Sequence, residues 1–216
     1  MKCCVHDDIA IIVLAAGQSS RLGQMKQLIS FKEKSLVEWQ LEQALKVSSK
    51  VYCVLGFNAN DIKLRIEHLP IHTIINHKFS EGMASSIAVG VSMLPRQTSA
   101  VMIMLVDQWQ LTSTDLINHI SCWQNNNDAI VVAQSIEQSK DMGRENIGPP
   151  VIFPQQYFTE LKALAGKKGA KPLLEKHHEK LLKVPLAQAF FDLDTPEQLS
   201  NMYKELSKEI NTVKQA

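Results

Sequence analysis

The segment from Ile9 to Leu28, I-A-I-I-V-L-A-A-G-Q-S-S-R-L-G-Q-M-K-Q-L, constrains the fold more than any other stretch. An apolar, β-branched-rich run from Ile9 to Leu14 breaks abruptly into Ala15, Ala16 and Gly17, and the only charges that follow are Arg21 and Lys26. This is the composition of a buried strand that empties into an anion-binding loop. Gly17 and Gly23 let the backbone approach a ligand with no Cβ in the way, Ser19 and Ser20 add donors, and two cations converge where several amides point. A polyphosphate fits such a loop.

The loop departs from both common nucleotide loops. A dinucleotide fingerprint needs Gly-x-Gly-x-x-Gly; a P-loop needs Gly-x-x-x-x-Gly-Lys-Ser/Thr, whereas here one residue too many separates Gly17 from Gly23, and Gln24 follows. Its pattern is L-A-A-G-x-S-x-R-x-G-x-x-K, carried by Leu14, Ala15, Ala16, Gly17, Ser19, Arg21, Gly23 and Lys26. That pattern resembles the opening loop of the nucleotidyltransferases that make sugar nucleotides and molybdopterin dinucleotides. The bland alternative is a flexible connection with incidental cations.

At 216 residues, the chain can bury a full core as one domain spanning residues 1–216. With 23 basic against 22 acidic residues, its charge gives no reason to expect nucleic acid or an anionic membrane as partner. A small ligand is expected. Cys3, Cys4, Cys53 and Cys122 show no Cys-x-x-Cys spacing and no histidine at zinc-finger distance, so they read as reduced thiols. The first apolar run is too short for a signal peptide or membrane span, and a cytoplasmic location is expected.

Short apolar runs alternate with amphipathic ones in a βαβαβα order. Ser35 and Glu38 form a capping box that opens a helix over about Leu36 to Val47. A strand over Lys50 to Gly56, a helix over Asn60 to His68 and a strand over His72 to Asn76 follow. Glu81 to Val91 reads E-G-M-A-S-S-I-A-V-G-V, a helix start whose amides and hydroxyls, at Gly82, Ser85 and Ser86, are expected to face a ligand. Ala100 to Val106 is unbroken apolar sequence, as a central parallel strand requires, and it ends in Asp107. Beyond it the pattern predicts a strand over Asp128 to Ala133, a long polar loop over Gln134 to Pro150, and sheet again at Val151 to Phe153. Helices over Tyr157 to Leu164 and Ala170 to His177 come next. A short strand over Phe190 to Leu193 and a terminal helix capped by T-P-E-Q at Thr195 complete the chain.

Ligands of open α/β sheets bind beyond the carboxyl ends of the strands, which places the first loop and Asp107 on one edge. A carboxylate facing bound phosphates makes sense with a divalent cation between them, magnesium being the usual hard partner; the other reading is a turn cap. Asp192 and Asp194 form a second acidic pair. Strand alternation would send both to one side, with Asp192 a metal ligand and Asp194 supporting the helix cap.

The leading loop, E-G-M-A-S-S at Glu81 to Ser86, L-V-D-Q at Leu105 to Gln108, G-P-P-V-I-F at Gly148 to Phe153, G-A-K at Gly169 to Lys171 and D-L-D-T-P-E at Asp192 to Glu197 occur in order. Together they resemble the molybdenum cofactor cytidylyltransferase branch of the molybdopterin nucleotidyltransferases. The resemblance implies an α/β, three-layer Rossmann-like fold with a mostly parallel sheet and a small antiparallel extension. It implies CTP or another nucleoside triphosphate, magnesium (Mg2+), a molybdopterin-type phosphorylated acceptor, and a molybdenum enzyme receiving the product. On it, Arg21 and Lys26 hold the triphosphate, Ser85 and Ser86 meet the nucleoside, Asp107 and Asp192 hold the metal, and Gly148 and Pro149 line the acceptor side. Trp109 and Met25 stand where prolines are common in that family, and Trp109 is expected to reshape the acceptor pocket. Two rivals stay open: a sugar- or polyol-phosphate nucleotidyltransferase, and a non-catalytic module that delivers cofactor to a molybdenum hydroxylase.

Overall fold

The computed structural model describes residues 6–136 and 145–214. Strand β1 (Ile9–Ala15) is buried along its whole length, and its side chains divide with period two. Ile9, Ile11, Val13 and Ala15 enter one core, while Ala10, Ile12 and Leu14 enter another. A strand apolar on both faces has to be covered on both, which dictates helices above and below the sheet.

The chain then forms a small hairpin, β2 (Ser30–Phe31) with β3 (Lys34–Ser35), followed by α1 (Leu36–Leu45), β4 (Val51–Leu55), α2 (Ala59–Ile66) and β5 (His72–Ile75). After α3 (Met83–Ser92) come β6 (Ala100–Leu105), α4 (Ser113–Gln124), β7 (Ile130–Ile136) and β8 (Glu145–Pro154). The remaining elements are α5 (Phe158–Lys162), α6 (Lys171–Lys176), β9 (Leu181–Pro185) and α7 (Pro196–Lys214). The seven-stranded sheet has the order β5-β4-β1-β6-β8-β7-β9, and β8 alone runs antiparallel to its neighbours. Winding proceeds outward from β1 through β4 to β5, then returns to β6 on the other side of β1. The carboxyl ends of β1 and β6 therefore flank the topological switch point.

Helices α1, α2 and α4 cover the first face through Leu41, Ile66 and Ile120, and α3, α5 and α6 cover the second through Val91, Leu161 and Leu173. This is the three-layer α/β fold the sequence predicts. A third, smaller core sits beyond the sheet edge, where Leu22, Phe31, Leu36, Trp109, Leu193 and Met202 come together. It joins the loop after β1, the hairpin, the segment after β6 and the start of α7. Each such apolar side chain contributes about 1.5–3 kcal/mol on burial, enough to anchor charged neighbours. Leu22 adjoins Arg21; Leu193 separates Asp192 from Asp194.

Several expectations are corrected. Phe190 to Leu193 is not a strand: Ala187–Phe190 is a 3-10 turn and the next residues are irregular. The edge beside β7 is already filled by β9, which sequence pattern missed, so no partner remains for a strand there. Much of the expected loop over Gln134 to Pro150 is the ladder of β7 with β8, and residues 137–144 lie outside the described residues. Helix α4 was also missed. Its Thr112 and Asp115 form a reciprocal capping box, and Leu116, Ile120 and Trp123 recur on its buried face. His119, on α4, is 0% exposed. Trp109 goes into the third core, edge-on to Phe31 with ring centroids 5.8 Å apart, and not into an acceptor pocket. Among the described cysteines, Cys53 and Cys122 are free, and burial pushes the Cys53 thiol up to about 12. No helix among the described residues is long and apolar enough to cross a membrane.

Candidate functional site

The loop after β1 is held from beneath by one side chain. Gln27, 1% exposed, donates from Nε2 to the carbonyls of Ala15 at 2.9 Å and Gly17 at 2.8 Å. The Ala16 carbonyl accepts from the Phe57 amide at 3.1 Å. With these carbonyls tied back, the backbone at Gly17 stays open: a Cβ there would meet nothing within 4 Å. Ser19 sits at φ 53 and Gly23 at φ 74, both left-handed, so the loop doubles back on itself. Ser19 Oγ accepts the Lys26 amide at 3.3 Å, which aims the Lys26 side chain across the switch point.

There the charges collect. Lys26 Nζ lies 2.5 Å from Asp107 Oδ2 and 3.1 Å from Asp194 Oδ1, and Arg21 Nη2 lies 2.6 Å from Asp194 Oδ2. Burial pulls the Lys26 ammonium down, but Asp107 and then Asp194 more than offset it, and its pKa is raised. Asp192 shares the cluster. Burial first, then the charges of Asp107 and Asp194, push its carboxyl up to about 6. Asp194 supports the α7 cap as expected, but through its backbone amide and not its carboxylate. Thr195 and Gln198 form that cap, with the Asp194 amide donating to Gln198 Oε1 at 2.8 Å, so its carboxylate is left for the cations.

The other wall is the start of α3. Asn76, 4% exposed, donates from Nδ2 to Ser85 Oγ and Ser86 Oγ, each at 2.9 Å. Ser85 Oγ also donates to the Gly82 carbonyl at 2.8 Å, so its hydroxyl serves the turn. Ser86 and Gly82 line a cleft of about 340 Å3 with Leu14, Ala16, Gly17, Lys26, Asp107 and Lys167. A second cavity of about 450 Å3 adjoins it, sharing Leu14, Met83 and Leu105. Gly148 and Pro149 line this second cavity, on the side expected to hold the acceptor.

Gln108 was quoted in a motif but given no role, and it joins the two cavities' walls. Its Oε1 accepts the Leu105 amide at 2.9 Å, and its Nε2 donates to the carbonyls of Pro149 at 2.6 Å and Ala189 at 2.8 Å. Gln27 was missed likewise. A buried glutamine bonded to several distant carbonyls leaves no periodic signal in sequence.

Whether these residues fit a divalent cation depends on donor chemistry. Among the described residues, no group of three or more His, Cys, Asp or Glu is arranged to hold a metal. Asp107 and Asp192 are nonetheless hard oxygen donors, and burial first, then repulsion from Asp107 and Asp194, makes Asp192 difficult to ionise. A dication would offset that repulsion, so the donor chemistry of the pair suits a hard divalent cation such as magnesium or manganese.

Residues 11–181 match the MobA-like NTP transferase domain model. The chain belongs to that family. A molybdenum cofactor cytidylyltransferase of Escherichia coli (strain K12) is 28% identical over 125 residues, which take in 57% of this chain and 62% of that protein. The match therefore spans less than two thirds of that relative. The purine catabolism protein PucB of Bacillus subtilis (strain 168) is 26% identical over 216 residues, covering 91% of this chain and 96% of that one. Among solved structures, the Mycobacterium sp. strain JC1 homologue of Rv0371c superposes with a TM-score of 0.77 at 21% identity, covering 93% of this chain and 98% of that one. Rv0371c of Mycobacterium tuberculosis H37Rv in complex with manganese gives 0.71 at 23% identity, covering 90% and 97%. At these identities the structures establish the fold of this family member.

Proposed function

We propose that this NTP transferase moves CMP from CTP to a molybdopterin-type phosphorylated acceptor, releasing pyrophosphate, with magnesium held by Asp107 and Asp192. The observation that carries the reading is the cluster of Arg21, Lys26, Asp107 and Asp194 at the mouth of a cleft whose backbone is open at Gly17. The similarity to a cytidylyltransferase supports the nucleotide, and manganese in the mycobacterial relative supports a divalent cation.

In the reaction, an oxygen of the acceptor phosphate forms a bond to the α-phosphorus as the bond between that phosphorus and the α–β bridging oxygen breaks, the electron pair leaving with pyrophosphate. No proton moves, so no general base is required. Lys26 and Arg21 neutralise the charge that spreads onto the phosphate oxygens, after exchanging their carboxylate partners for the triphosphate. Magnesium, when bound, supplies further charge neutralisation as a Lewis acid. Positioning by the two walls does the rest.

Ala16 lines the cleft, and its methyl narrows the space beside the base. A methyl-sized clash is worth about 1–3 kcal/mol, so CTP is preferred over GTP by roughly ten- to two-hundredfold in kcat/KM, and Ala16→Gly relaxes the preference. Pyrophosphate release, measured with the four triphosphates against metal-bearing molybdopterin and a panel of sugar and polyol phosphates, tests the whole reading. Turnover confined to a sugar or polyol phosphate assigns the acceptor to the rival class. No turnover with any acceptor leaves the delivery module.

A further inference from the structure

The sequence G-K-K-G, Gly166 to Gly169, was absorbed by neither the fold nor the phosphate loop. Its backbone is clamped against the start of α3 at both ends. A Cβ at Gly82 would lie 2.6 Å from the Gly166 carbonyl oxygen and 2.7 Å from the Lys167 Cα. Gly169, at φ +57, would place a Cβ 2.9 Å from Met83 Sδ. The Ala84 amide also donates to the Gly166 carbonyl at 3.3 Å. Between these fixed points the two lysines part company: Lys167 lines the cleft that holds Lys26 and Asp107, and Lys168 lines the second cavity.

Consecutive Cα atoms are about 3.8 Å apart, so one point on the backbone contributes a lysine to the wall of each of two adjoining cavities. Both lysines are exposed, and neither side chain has an ion-pair or hydrogen-bond partner among the described residues. Lys26 and Arg21 are already paired. The second cavity has an apolar floor, with Ile103, Val151, Phe153 and Leu181 among its lining, and Lys171, Glu175 and His178 add polar groups. Its volume of about 450 Å3 falls in the range of small-molecule sites.

We infer that Lys167 and Lys168 divide between the two substrates: Lys167 binds the triphosphate, and Lys168 binds the nucleophilic phosphate of an acceptor whose bulky, apolar or heteroaromatic body fills the second cavity. This rests on the nucleotidyl-transfer reading above. Two anions that must approach for transfer repel one another, and cations delivered from a single clamped step reduce that repulsion where they meet. Charge balances without further groups, because the acceptor phosphate displaces pyrophosphate with no change in total charge. An apolar floor selects against a small polyhydroxylated acceptor, whose hydroxyls would lose water without replacement.

The test is steady-state pyrophosphate release by the full chain with CTP, magnesium and metal-bearing molybdopterin, for wild type, Lys167→Ala and Lys168→Ala. Wild type turns over. Lys168→Ala raises the acceptor KM by about tenfold or more and leaves the CTP KM within about twofold, as loss of a contact to a charged group predicts. Lys167→Ala does the reverse, and titration with a nonhydrolysable CTP analogue shows weakened binding for Lys167→Ala alone. Wild-type turnover with an unchanged acceptor KM in Lys168→Ala overturns the division while leaving nucleotidyl transfer intact. Absence of wild-type turnover with this acceptor and with sugar phosphates overturns both.

Discussion

Two lysine-bearing segments border the same cleft in opposite electrostatic states. On the β1 side, Lys26 and Arg21 are held by Asp107 and Asp194 at 2.5 to 3.1 Å. On the α3 side, Lys167 is exposed and without a side-chain partner among the described residues. A phosphate arriving at the first segment has to displace carboxylates, so its net gain is a difference between two ion pairs. At the second it meets a solvated ammonium. The comparison teaches that position relative to the sheet does not set how available a cation is; its neighbours from distant parts of the chain do.

The largest effect on turnover at neutral pH is expected from Asp107→Asn, which keeps the shape and removes the charge that faces Lys26 and that the proposed reaction assigns to the metal. Pyrophosphate release should fall by roughly a hundredfold or more while the melting curve stays cooperative. Near-wild-type release in magnesium would refute the metal assignment.

Lys26→Ala comes next. It should weaken triphosphate binding and slow transfer, each by about tenfold or more, because the same ammonium acts before and during the reaction. It also leaves Asp107, whose side chain is 8% exposed, without its partner, at a stability cost of about 1–3 kcal/mol by denaturant titration. If affinity and rate are unchanged, the paired segment is structural and the exposed one carries the phosphates.

Asp194→Asn sharpens the contrast from the other side. Freeing Arg21, and leaving Lys26 paired only with Asp107, should tighten binding of a nonhydrolysable triphosphate by up to about fivefold, with the gain shrinking at high salt. Weaker binding in this variant would show Asp194 to be a ligand site and not a competitor.

The smallest effect on turnover belongs to His119→Leu, which lies under the sheet away from both segments. Burial lowers the His119 pKa from 6.5 to about 4. The unfolded chain therefore takes up a proton below about pH 6.5 that the native state refuses until about pH 4. Stability is level above that window and falls as pH drops through it, by up to roughly 3 kcal/mol. The leucine variant should flatten this slope in pH-dependent unfolding without changing kcat at neutral pH. A slope that persists assigns the acid sensitivity elsewhere.

Much of this was legible in the chain. The two-faced burial of β1 follows from an apolar run with no polar alternation, and Asp107 at the end of β6 follows from where such a run stops. Ser35 with Glu38 and Thr195 with Gln198 form the caps their spacing announces. Helix α4 escaped because Ser, Thr, Asn, His and Cys are weak helix formers and tertiary packing of Leu116, Ile120 and Trp123 decides it. The segment Phe190 to Leu193 reads as a strand by alternation, but a strand needs a free edge, and β9 takes it.

The sequence by itself determined the strand-to-loop transition at Gly17, the cations at Arg21 and Lys26, and the carboxylate at a strand end, because local propensity and short spacings encode them. Only the tertiary structure decided what each charge faces. Asp194 reaches Arg21 across 173 positions of chain, and Lys26 reaches Asp107 across 81. Burial of Leu22 and Leu193 in one small core holds the Arg21–Asp194 pair together, and burial is a property of the folded whole. The parting of Lys167 and Lys168 into two cavities has the same origin, since adjacent identical residues are told apart only by the walls around them.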